Sequence, residues 1–181
     1  MLDFIQVTFT EQEVEELKKS VEIKNDLLGY NNLNRSVDTR WVGTACEIAF
    51  KLLLEKYKIP FVYHARKDRI DDRDFTIGEN ELDVKGVATS YDPKPYYACN
   101  VANLQWQRIM KSGNIINGFI FARFNLSSNT VFLLGYISKA GLKEKAQFFE
   151  KGTQRGKIIL NTDLWEVSIN DLIPMQKAFS I

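Results

Sequence analysis

Residues 74–85 read Asp-Phe-Thr-Ile-Gly-Glu-Asn-Glu-Leu-Asp-Val-Lys. Side chains alternate along a β-strand, so Asp83 and Lys85 share one face while Leu82 and Val84 turn the other way, toward a core. A carboxylate and an ammonium are thereby held at fixed spacing on a rigid element. Asp74 opens the preceding strand. A type II′ turn favours glycine at its first central position. With Gly78 and Glu79 as the central residues, Asp74 falls directly opposite Asp83 and Phe75 opposite Leu82. A slip of one residue would spoil both pairings. Two carboxylates at such range repel each other unless a cation lies between them. Magnesium suits, because it takes oxygen ligands and retains waters for a substrate phosphate; manganese is the natural substitute. Lys85 beside the metal would orient or help deprotonate an attacking water, or stabilise charge growing on a phosphate. The same residues also read as a surface hairpin with an ordinary Asp-Lys ion pair, since Asp-x-Lys is frequent by chance.

The elements that must position this hairpin follow from periodicity. Residues 42–57 predict the clearest helix, with Cys46, Ala49, Phe50, Leu53, Leu54 and Tyr57 at helical spacing. Glu47 lies at the edge of that apolar stripe, with Phe50 and Leu54 at the third and seventh positions after it. A glutamate so placed needs a partner. One reading is a salt bridge near the helix start, where an acid also suits the dipole. The other is a third acid for the Asp74–Asp83 site. Pro60 ends the helix, and Phe61–His64 suits a short strand. Residues 10–23 predict an amphipathic helix with a Thr10–Glu13 capping box. Residues 25–40 read as a loop. Residues 74–77 and 81–86 form the hairpin, and residues 90–97 an irregular loop. Helices are expected over 100–112 and 138–149, and strands over 117–125, 130–136 and 164–169.

Composition bounds the class. The 181 residues suit one domain with a sizeable core, and 45% hydrophobic with 26% charged is an ordinary globular balance. No apolar run approaches a membrane span and the first twenty residues are acidic, so a cytoplasmic protein with no membrane partner is expected. Cys46 and Cys99 lack metal-ligand spacing and read as free buried thiols. A single histidine, His64, removes multi-histidine metal sites and HNH-type nuclease chemistry. The net charge of +1 counts against a general DNA coater, because neutralising phosphates is what gives such proteins affinity. Any nucleic-acid contact must come from basic groups gathered on one face.

The order helix with Glu47, strand, Asp74-Phe-Thr-Ile, turn, Leu82-Asp-Val-Lys85 resembles the PD-(D/E)XK nuclease superfamily, over roughly residues 40–135. The resemblance implies an α/β fold with a restriction-endonuclease-like αβββαβ core, a central mixed sheet flanked by helices. The single domain over residues 1–181 would then divide into an N-terminal helix and loop (1–40), the core (41–136) and C-terminal additions (137–181). It further implies that Asp74 is the first motif acid, Asp83 the second, Lys85 the motif lysine and Glu47 the helix glutamate. The backbone carbonyl of Val84 would complete the Mg2+ shell. Arg73 stands where the family usually has proline, and Asp68, Asp71 and Asp72 compete for the place of the first acid. Asp74 is preferred because Phe75 and Ile77 alternate after it.

The function so implied is a divalent-metal-dependent deoxyribonuclease, an endonuclease. The nearest rival is a resolvase of Holliday junctions or other branched DNA, for which a homodimer is expected, because two nicks need two sites. From another class comes a non-catalytic nucleic-acid-binding or interaction module. Nothing in the sequence separates DNA from RNA as the partner. Among weaker candidates for nucleic-acid contact, Arg35 and Arg40 would grip phosphates, Lys94, Tyr96 and Tyr97 would meet a backbone or stack on a base, and Gln105 and Gln107 lie on the helix after the hairpin. Position 109 is Ile where exonuclease branches of the family carry tyrosine. Trp41, Trp106 and Trp165 read as packing residues, because they fall in different elements.

Overall fold

A computed structural model describes residues 4–28, 40–64, 73–111, 113–155 and 158–180. Arg35, Asp68, Asp71 and Asp72 lie outside them. Along the chain run β1 (Ile5–Thr8), α1 (Glu11–Leu28), α2 (Arg40–Lys56), β2 (Val62–Tyr63), β3 (Phe75–Ile77), β4 (Asn80–Thr89), β5 (Ala98–Ala102), α3 (Asn103–Met110), β6 (Gly118–Asn125) and β7 (Thr130–Ser138). They are followed by α4 (Lys139–Lys145), β8 (Gln147–Phe149), β9 (Gln154–Arg155), β10 (Ile158–Ile159), β11 (Leu164–Ser168) and α5 (Met175–Ala178). The fold is mixed α/β. A six-stranded sheet runs β1-β7-β6-β4-β3-β2, and a three-stranded sheet runs β5-β11-β8. In the large sheet β4 and β6 are parallel and every other pair is antiparallel.

The parallel pair needs a crossover, supplied by β5 and α3, and this covers one face of the sheet. Helix α2 covers the other. Its buried residues Trp41, Val42, Ala45, Cys46, Ala49, Phe50, Leu53 and Leu54 form one stripe. That stripe packs on Phe75, Leu82, Val84, Ile120, Ala122 and Phe124. Phe119 and Phe121, alternating with the last three on β6, join Cys99, Val101, Trp106 and Ile109 in a second core on the opposite face. Position 86 must be glycine for α2 to lie this close: a Cβ there would meet Cys46 Sγ at 2.7 Å.

The capping box forms as the spacing predicts. Glu13 N donates to Thr10 Oγ1 at 3.2 Å, and Thr10 N donates to Glu13 Oε2 at 2.7 Å. The Thr10 amide, and then the Thr10 hydroxyl, which also donates to Glu13 Oε2 at 2.8 Å, hold the Glu13 carboxyl below its ordinary range. Helix α1 continues to Leu28, into residues expected to be loop. Two other expectations fail. Residues 100–102, expected to open a helix, instead end strand β5, because Cys99 and Val101 are buried alternately against β11. Helix α3 begins only at Asn103, whose Oδ1 accepts from Trp165 Nε1 at 3.1 Å. The expected helix over 138–149 stops at Lys145, and residues 147–149 pair with β11, which sets Phe148 against Trp165. Among the described residues no helix is long and apolar enough to cross a membrane.

Candidate active site

The β3–β4 hairpin has the register its apolar residues demand. Phe75 pairs with Leu82, Thr76 with Glu81 and Ile77 with Asn80. Phe75 and Leu82 are 0% and 1% exposed. At the tip, Gly78 takes a φ of 58° and Glu79 does not turn positive, as a type II′ turn requires.

Asp74 departs from the expected pairing. The ladder ends at Phe75, and the Asp74 amide donates to the Leu82 carbonyl at 2.8 Å, so the backbone at Asp74 is not in register with Asp83. The extra residue on this side is the geometry of a β-bulge. It leaves the Val84 amide, on the edge of β4 that faces β3, to a side chain: Asp74 Oδ2 accepts it at 2.6 Å. One peptide link separates that amide from the Asp83 Cα, so the Asp74 carboxylate lies within about 5.5 Å of it. In a strand the N–H and C=O of one residue point the same way. The Val84 carbonyl is therefore directed to the same side as Asp74.

Asp83 and Lys85 do share a face, and they form an ion pair through Asp83 Oδ2 and Lys85 Nζ. Their side chains are 5% and 12% exposed. Their register partners on β6 are Phe119 and Phe121, members of the second core, so the pair sits on the α3 side of the sheet. Isolated charges so deeply buried would be costly, and mutual pairing offsets that cost.

Glu47 comes from the other side of the sheet. Helix α2 packs against the Leu82 and Val84 face. Glu47 Oε2 accepts from the Tyr63 hydroxyl at 3.0 Å. Tyr63 stacks on Phe75, centroids 4.9 Å apart, at the start of the hairpin. Burial first, then the charge and hydrogen bond of Glu47, then the charge of Asp74 push the Tyr63 phenol well above its ordinary range. Tyr63 thus feels both acids. The sequence-predicted residues are brought together in two overlapping pairs: Glu47 and Asp74 around Tyr63, Asp74 and Asp83 around Val84. Among the described residues no three His, Cys, Asp or Glu side chains form a group able to hold a metal ion.

Sequence reasoning passed over a polar network beside this corner. Arg73 Nε contacts Glu81 Oε2 at 2.8 Å, the Thr76 hydroxyl donates to the same oxygen at 2.8 Å, and His64 Nε2 lies 2.8 Å from Thr76 Oγ1 and 3.1 Å from Arg73 Nε. Glu81 stands two residues before Asp83 and so on its face. That spacing was the available signal. His64 directly follows β2, and its amide donates to the Asp74 carbonyl at 2.8 Å, so it ties the site's backbone.

The weaker candidates scatter. Arg40 begins α2, but its side chain is outside the described residues. Gln105 is half-buried on α3 and Gln107 is exposed there. Lys94 and Tyr97 meet in a tyrosine cluster beyond the end of β4: Lys94 Nζ lies 5.9 Å from the Tyr96 ring, which is 5.0 Å from that of Tyr97. Trp106 and Trp165 are stacked at 4.1 Å, one contact within the second core and its margin. Compared with protein-family models, curated proteins and solved structures, the chain gives no match.

Proposed function

We propose that this protein is a divalent-metal-dependent nuclease that hydrolyses DNA phosphodiester bonds as an endonuclease. The observation that carries the reading is the corner of β3 and β4, where Asp74 caps the Val84 amide beside the buried Asp83–Lys85 pair. The order of elements supports it: α2, the antiparallel run β2-β3-β4, then a crossover through β5 and α3 to parallel β6, resembles the αβββαβ order of a restriction-endonuclease-like core with β5 added and paired into the smaller sheet.

The donor set fits magnesium. Asp74, Asp83 and the Val84 carbonyl would supply oxygen ligands only, and this ion is commonly held by one or two carboxylates with water and substrate phosphate filling the rest. Bound there, magnesium would supply Lewis acidity toward a phosphate oxygen and a readily ionised water. Asp74 is positioned for this by its bond to Val84, which fixes the carboxylate without a second acid. Asp83 holds the Lys85 ammonium at a set place on a buried strand. Lys85 in turn presents positive charge to a phosphate undergoing in-line displacement, and does so without reorganisation. Glu47, engaged with Tyr63, keeps that phenol against Phe75 and adds negative potential near Asp74.

The test is cleavage of supercoiled, linear, single-stranded and four-way-junction DNA with magnesium or manganese, with Lys85→Ala and Asp83→Ala alongside. Cleavage by the wild type that both variants lose supports the reading. Inertness of all three on every substrate, with no divalent-ion binding by calorimetry, overturns it. The absence of a three-acid group among the described residues favours one second reading, a nucleic-acid-binding module on this fold. Binding without cleavage would select that.

A further inference from the structure

On the sheet face that carries Asp83 and Lys85, the next same-face position of β4 is Val87, about 7 Å further on. Val87 is 47% exposed and pairs in register with Arg123 of β6. The Arg123 guanidinium donates to the Ala98 carbonyl at 2.8 Å and lies 4.9 Å from the centre of the Tyr97 ring. Around Tyr97 stand Tyr91 and Tyr96, at 5.6 and 5.0 Å between ring centres. Tyr91 is 55% and Tyr96 74% exposed. The sheet face of the proposed cutting residues therefore runs through Val87 and Arg123 to an exposed aromatic cluster that includes Lys94.

The cluster borders a cavity of about 190 Å3, lined by Tyr96, Tyr97, Lys145, Gln147, Glu166 and Ser168 among others. Drug-sized ligand pockets begin at about 300 Å3, so this one suits a single flat group. Its walls offer what a base takes up: the Tyr96 and Tyr97 rings to stack on, and for the edge the Gln147 amide, the Ser168 hydroxyl and two carboxylates, Glu166 and Asp171, the second paired with Lys145 at 3.4 Å. Glu166 and Ser168 share a face of β11, and Gln147 is the register partner of Glu166 on β8. The loop is held in place in advance. Asn125 Nδ2 donates to Asp92 Oδ1 at 2.7 Å, the Ser127 hydroxyl donates to the Ser90 carbonyl at 3.2 Å, and Tyr97 N donates to the Lys94 carbonyl at 3.0 Å.

We propose that the Tyr91–Tyr96–Tyr97 cluster and its adjoining cavity bind an unpaired nucleobase of the strand to be cut, so that the substrate is single-stranded or locally melted DNA. This rests on the nuclease reading for its purpose. Aromatic side chains stack on any base, whereas a fully paired duplex offers no free base face along its length.

The experiment measures binding of a single-stranded oligonucleotide containing 2-aminopurine, and of the same sequence fully paired, in EDTA so that no cleavage intervenes. The wild type is expected to bind the single strand more tightly and to quench its fluorescence. Tyr96→Ala should weaken single-strand binding about five- to 150-fold, and Tyr96→Phe should retain it. Tyr96 is largely exposed, so its loss leaves the cores intact. Equal binding by wild type and Tyr96→Ala, or tighter binding of the duplex, would overturn the proposal. Cleavage assays of the wild type and Asp83→Ala with magnesium separate the two readings. Tyr96-dependent binding without any cleavage would sink the nuclease reading and leave the base site standing. Cleavage that Asp83→Ala abolishes, with binding indifferent to Tyr96, would do the reverse.

Discussion

Asp74 Oδ2 accepts the Val84 amide at 2.6 Å, so a side chain replaces the backbone partner that β3 would have offered there. The substitution pulls the two strands out of register on one side and anchors a carboxylate where they part. Asp74→Asn keeps a carbonyl acceptor for that amide and removes the charge. It should retain most of the stability while cleavage and calorimetric Mg2+ binding fall together. Asp74→Ala should lose both function and stability, the latter by about 1–3 kcal/mol for the orphaned amide. Equal urea midpoints for the two variants would refute the capping role.

The Asp83–Lys85 pair is buried enough for its partners to depend on each other. Lys85→Ala should cost about 3–5 kcal/mol in chemical denaturation, because it strands Asp83 among aromatic neighbours. Asp83→Leu combined with Lys85→Met should be close to wild type in stability, since a well-packed apolar pair often matches a buried ion pair. The double variant should be inactive. A double variant less stable than either single one would show that the pair is not a local electrostatic unit.

Tyr63 ionises later in the folded protein than in the unfolded chain, where the phenol has its ordinary value of 10.0. Above that pH the folded state binds the extra proton, so the stability contributed by Tyr63 is present below it and is lost as pH rises. Wild-type stability should therefore fall more steeply on the alkaline side of pH 10 than that of Tyr63→Phe. Denaturation curves taken across that range decide it; parallel slopes would remove Tyr63 from the linkage.

The contact between α2 and β4 admits a direct steric test. Gly86→Ala should destabilise by about 1–3 kcal/mol, because its methyl meets Cys46. In a Cys46→Ala background the cost should shrink without vanishing, since the Cβ at position 46 would still be 3.0 Å away. Burial pushes both free thiols up, that of Cys99 to about 12. In native protein neither should react with a disulfide reagent at mildly alkaline pH, and Gly86→Ala should make Cys46 the first to do so.

The hairpin was legible because two signals in it agree. Alternation of Phe75, Leu82 and Val84 sets the faces, and Gly78 sets the turn, so register and the sharing of a face by Asp83 and Lys85 followed. The shift at Asp74 was not legible, because a bulge changes pairing without changing which residues are apolar. The role of Glu47 was half legible: its place at the margin of the α2 stripe implied a partner, but only the fold brings Tyr63 to it. The strand Ala98–Ala102 was missed because short alternation at Cys99 and Val101 was outweighed by the helical residues after it. Its partner β11 lies some sixty residues on, and long-range pairing leaves no local mark.

The large sheet ends at two very short strands, β2 with two residues and β1 with four. Strand β1 shields the whole start of β7, from Thr130 to Leu133. A shortened chain without residues 4–9 would bare those four positions of β7, whose side chains are all buried. Such a strand is a template for another copy of itself. Trimming the protein for expression or crystallisation at this end should therefore show first in its colloidal behaviour, as self-association, before any change reaches Asp74 and Lys85 on the far side of β6.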